Sequence, residues 1–144
     1  MNQDFVDLLR AFNAADVRFL VVGAYALAFH GRPRSTGDLD VWVDATPENA
    51  PRVIRALAAF GAPLADISEA DFARAGIIYQ MGLPPGRIDV LTELTGLSFN
   101  DAWPDRERGP VDDVEVDFIG REAFIRNKRA TGRPKDIGDV EGME

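Results

Sequence analysis

Two aspartates separated by a single leucine, Asp38 and Asp40, open a stretch whose following residues, VWV, read as a buried strand. Side chains alternate along a strand, so both carboxylates fall on one face, about 6–7 Å apart, while Leu39 points to the other. Like charges at that spacing repel, and neither is easily buried without a partner. A hard divalent cation removes the conflict, because magnesium, or manganese in its place, takes oxygen ligands from carboxylates, water and substrate phosphates. Asp89, set among apolar residues in RIDVL, supplies a third carboxylate. Three such groups can hold two ions about 3.5–4 Å apart, which clamp the attacking and leaving oxygens of a phosphoryl transfer. Asp38, Asp40 and Asp89 are therefore the candidate metal ligands and catalytic residues.

Upstream, the run VRFLVV ends at Gly23-Ala24. A glycine at a strand-to-helix turn lets backbone approach a ligand closely, and a helix start presents N–H groups to phosphate. Gly23 and Ala24 are thus expected to cradle a nucleotide, with Arg34 neutralising phosphate charge and Thr36 donating a hydrogen bond. Other residues fit structural roles better. His30 falls at a helix end, where it caps or packs. Lys128 and Arg129 could bind triphosphate or an acceptor, but they fall late in a helix, where the dipole favours cations. Trp42 and Trp103 suit the core.

These residues need elements to hold them. Phe5, Leu8, Leu9 and Phe12 make the apolar stripe of a helix over residues 3–13. Residues 17–22 read as a strand buried on both faces, 24–30 as a helix stopped by Gly31 and Pro33, and 39–43 as a second strand. TPENAPRVIRALAAFG reads as a helix capped by Thr46 with Pro47 in its first turn. Residues 77–81 and 88–91 suit an antiparallel hairpin joined by the Gly- and Pro-rich link 82–86. The segment 62–75 suits a loop or a short helix. Residues 111–119, with Val111, Val114, Val116 and Phe118 among acids, read as one edge or half-exposed strand whose Asp112, Asp113, Glu115 and Asp117 face solvent. Residues 122–130 read as a helix, and a short last helix follows.

At 144 residues, with 46% hydrophobic and 28% charged residues, the chain is expected to be one α/β (α+β) domain spanning 1–144. Zero cysteines exclude disulfides, zinc ribbons and thiol chemistry, and one histidine excludes His-rich metal sites. A formal charge of −8 argues against non-specific nucleic-acid binding, which needs Lys and Arg on phosphates. No apolar run approaches a membrane span and MNQDFVDLLR does not read as a signal peptide, so a cytoplasmic location without membrane contact is expected.

The order Gly23-Ala24, Asp38-Leu39-Asp40, Asp89 resembles the signature of the nucleotidyltransferase superfamily that includes DNA polymerase beta. It is most similar to small bacterial nucleotidyltransferase-like proteins of abortive-infection and toxin–antitoxin systems, through Gly23, Ala26, His30-Gly31, Arg34, Thr36, Asp38 and Asp40, with Lys128 and Lys135-Asp136 matching more loosely. The resemblance implies a small mixed sheet flanked by helices. It also implies a divalent metal, a nucleoside triphosphate, and transfer of a nucleotidyl group to an acceptor hydroxyl on a protein, a transfer RNA end or a small molecule. A partner protein from a neighbouring gene belongs to the same expectation. Ala24 stands where the pattern has Ser or Gly and removes a hydroxyl contact. Two further readings stay open: a nucleotidyltransferase-fold module that binds a partner protein with weak or no turnover, and a carboxylate cluster that binds calcium for stability.

Overall fold

The computed structural model describes residues 2–31, 37–83 and 86–141. Helix α1 (Gln3–Ala14) starts where the Asn2 side chain accepts a hydrogen bond from the Asp4 amide, and it buries Phe5, Leu8, Leu9 and Phe12. Strand β1 (Phe19–Val22) is buried at all four positions. Alternate side chains point to opposite faces, so both faces of the sheet are covered there. It passes directly into α2 (Gly23–Phe29), and β2 (Leu39–Val43) returns antiparallel to β1. Helix α3 (Ala50–Phe60) packs on α1 and ends at Gly61, whose φ of +95° suits a residue without a Cβ.

After the short α4 (Glu69–Phe72), β3 (Ile78–Met81) and β4 (Ile88–Leu91) pair antiparallel. Helix α5 (Phe99–Ala102) runs into a 3₁₀ turn (Trp103–Asp105), and β5 (Glu107–Val111) and β6 (Val114–Phe118) form a second antiparallel pair. Helices α6 (Arg121–Thr131) and α7 (Pro134–Glu141) close the described chain. The six strands lie in the order β3-β4-β2-β1-β6-β5, with β2–β4 and β1–β6 parallel. This is the mixed sheet flanked by helices that the sequence leads one to expect. Among the described residues no helix is long and apolar enough to cross a membrane.

Two elements differ from expectation, and a third resolves an alternative. The single edge or half-exposed strand read over 111–119 is instead the β5–β6 hairpin: β6 lies inside the sheet, and β5 is the edge. The reversal falls at Asp112, whose φ of +54° is a conformation that a short polar side chain tolerates. ERGPV carries Gly and Pro, which conceal a strand from a propensity reading, yet Pro110 is acceptable on an edge because no inner ladder bond needs its N–H. The acids of this segment do not share one solvated face. Glu115 is exposed, whereas Asp117 is partly buried with Arg108 at 3.3 Å and Arg106 at 3.7 Å. The third helix begins at Ala50, with Asn49 at its N-cap and Pro51 in the first turn; Thr46 caps only the preceding turn, through its Oγ1 and the Asn49 amide. Within 62–75 the chain forms α4, closed by a reciprocal Ser68–Asp71 capping box.

Candidate active site

The central strands carry the site. Val22, the last residue of β1, stands opposite Asp40 of β2, and Asp40 stands opposite Asp89 of β4. Side chains directly opposite in adjacent strands point to the same face, so the two carboxylates meet side by side. Above them is the β1–α2 turn. Gly23 has a φ of +68°, and a Cβ built there would lie 2.2 Å from Asp40 Oδ2. Only glycine lets that turn close over the carboxylate. These residues line a cleft of about 650 Å³, whose walls include Ala24, Glu93, Phe124 and Lys128.

Asp89 is only 7% exposed and Asp40 is partly buried. Burial pushes the Asp40 carboxyl up to about 6; the charge of Asp89, a hydrogen bond with its side chain and the charge of Asp38 act in the same direction, while Lys128 opposes them. The site therefore holds more negative charge than its surroundings offset. Arg87 answers part of it. Its Nε donates to Asp89 Oδ1 at 2.9 Å and its Nη2 to Asp89 Oδ2 at 3.2 Å, a two-pronged contact. The same Nη2 lies 3.7 Å from Asp38 Oδ2, and the Arg87 backbone N–H donates to Asp38 Oδ1 at 3.1 Å.

Among the described residues, no three His, Asp or Glu side chains form a ready-made coordination cluster. Asp40 and Asp89 are together, and Asp38, one residue before β2, is turned towards Arg87. The donor set still fits a hard divalent cation. Two adjacent carboxylates, one with proton affinity raised by burial and by the charge of the other, are what a proton or a magnesium or manganese ion would stabilise. Gly23 and Ala24 line the cleft. Arg34 and Thr36 lie outside the described residues.

His30 is structural: it caps α2, and its Nε2 lies 2.8 Å from the Ile119 carbonyl oxygen. Trp42 is buried, and Trp103 packs half-buried against the core. Sequence reasoning missed Arg87, although alternation places it two residues before Asp89 on the same side of the strand. It also preferred a helix-dipole role for Lys128 to triphosphate or acceptor binding. That residue is in the last turn of α6, and it lines the cleft as well.

No family model matches the chain, and no curated protein matches it. Among solved structures, the chain is similar to a "putative nucleotidyltransferase" from Thermotoga maritima, with a TM-score of 0.63 and 12% identity over 99% of this chain and 94% of the other. The fold is nucleotidyltransferase-like. At this identity the likeness speaks for the arrangement of strands and helices alone. A nucleotidyltransferase-like sheet here brings Gly23, Asp40 and Asp89 together at one cleft.

Proposed function

We propose that the protein is a metal-dependent nucleotidyltransferase, which moves a nucleotidyl group from a nucleoside triphosphate to an acceptor hydroxyl. The observation that carries this reading is the register of Asp40 and Asp89 across β2 and β4, beneath a glycine turn that admits no side chain. In this reading Asp38, Asp40 and Asp89 hold magnesium or manganese, which when bound supplies charge neutralisation for the phosphates. Asp89 also accepts the proton of the acceptor hydroxyl as its oxygen forms a bond to the α-phosphorus, and pyrophosphate leaves. Gly23 and Ala24 offer backbone to the phosphates, and Lys128, which also lines the cleft, offers a positive charge. The order of motifs supports a place in a two-gene toxin–antitoxin pair, with the acceptor on a protein, a transfer RNA end or a small molecule.

The test is calorimetric titration of ATP, GTP, CTP and UTP with magnesium or manganese, on the wild type and on Asp38→Asn/Asp40→Asn. Metal-dependent binding that the variant loses is the expected result, and it names the nucleotide for a transfer assay. Absence of binding by every triphosphate, from folded protein, overturns the reading. A second reading, a partner-binding module of the same fold, is favoured by Ala24, which brings no hydroxyl to the turn. It requires that partner binding survive Asp38→Asn.

A further inference from the structure

Arg87 stands where a cation would have to go. Its guanidinium grips Asp89 through two nitrogens and reaches Asp38, and all three carboxylates of the site act on it. Its backbone is anchored in the sheet apart from that grip: the carbonyl accepts the Leu39 N–H at 2.9 Å. The side chain is free to leave without disturbing the sheet, since it is 32% exposed and has solvent to swing into. Arginine stays charged at any working pH, so pH does not release it.

We propose that Arg87 is a built-in counter-ion which a divalent cation must displace from Asp38 and Asp89 in order to enter. The inference rests on the reading of these carboxylates as a metal site. Its consequence is regulatory. Metal alone gains the carboxylates only by breaking the ion pairs that Arg87 makes with them, so it binds weakly. A metal that arrives with a triphosphate provides the displaced guanidinium with phosphate oxygens, its preferred planar partners. Arg87 thereby couples metal entry to nucleotide entry and keeps the empty site folded against its own repulsion.

The test measures free manganese by electron paramagnetic resonance during titration of the full chain, as wild type, Arg87→Gln and Arg87→Ala. Both variants are expected to bind manganese roughly tenfold more tightly than the wild type, the scale of one partly screened charge beside the site. They are also expected to melt below the wild type without metal and to close that gap when manganese is added. Should Arg87→Ala fail to fold, Arg87→Gln, which keeps much of the side chain and a donor, carries the comparison. Wild type that binds manganese, with folded variants that bind no tighter, overturns the role of Arg87 and leaves the metal site standing. No manganese binding by any of the three chains at millimolar metal overturns both.

Discussion

Asp40 and Gly23 define the site by how little room they leave each other. Gly23→Ala would place a methyl 2.2 Å from Asp40 Oδ2 and hold an L-residue at a φ of +68°. The expected loss is about 1–3 kcal/mol in urea unfolding, with triphosphate binding lost because Asp40 must move aside. A variant as stable as the wild type would mean that the turn is looser than its geometry. The Asp40 carboxyl gives a second prediction. In the unfolded chain it titrates near 3.8, and in the fold at about 6, so the folded state binds more protons between those values. Stability then falls as pH rises through that window and stays reduced above it. Asp40→Asn removes the repelling charge. In chelator, at pH 8, it is expected to melt above the wild type while failing to bind triphosphate, and the difference should shrink at pH 5. A lower melting point at pH 8 would show that Arg87 and Lys128 already offset the charge in full.

Helix α2 is held in place by a stack that begins outside the site. Phe29, at its end, lies face to face with Phe118 of β6 at 4.1 Å between ring centroids, and Gly109 of β5 leaves space for that ring. A Cβ at Gly109 would meet Phe29 Cε1 at 2.4 Å. Gly109→Ala is therefore expected to cost about 1–3 kcal/mol by overpacking, and to weaken nucleotide binding by shifting α2. Unchanged unfolding would show that the ring relocates freely. This contact also marks what the sequence could reveal. The strands that carry the aspartates were legible, because β1, β2 and β4 are short apolar runs bounded by turns and charges. The choice of Asp38, Asp40 and Asp89 as the residues to watch came from alternation and motif order, and the structure brings Asp40 and Asp89 side by side while Asp38 turns to Arg87. The β5–β6 hairpin was not legible, since its outer strand contains Gly109 and Pro110 for reasons of tertiary packing and edge position, and its turn uses Asp112 rather than glycine. Arg87 was missed for a related reason. Its role depends on Asp38 and Asp89 reaching the same place from two strands, and pairing register is not written in either one.

At the scale of the molecule, the site and the core share the same strands. β1, β2 and β4 are adjacent in the sheet and supply both the buried residues Val22, Leu39 and Val90 and the cleft residues Asp40 and Asp89. Losing the cleft therefore requires separating central strands, so ligand binding is linked to global unfolding. Ligand at about 100 times its dissociation constant stabilises the folded state by about 2.7 kcal/mol. For a chain near 150 residues that corresponds to a rise in melting temperature of roughly 5–10 °C. The wild type is expected to show this rise with triphosphate and magnesium together, and a much smaller one with either alone, because the net charge of −8 disfavours a bare polyanion and Arg87 disfavours bare metal. Asp40→Asn, compared with its own metal-free value, is expected to show none. Differential scanning calorimetry decides the matter: equal shifts in the two proteins would place nucleotide binding away from this cleft, whatever the fold resembles.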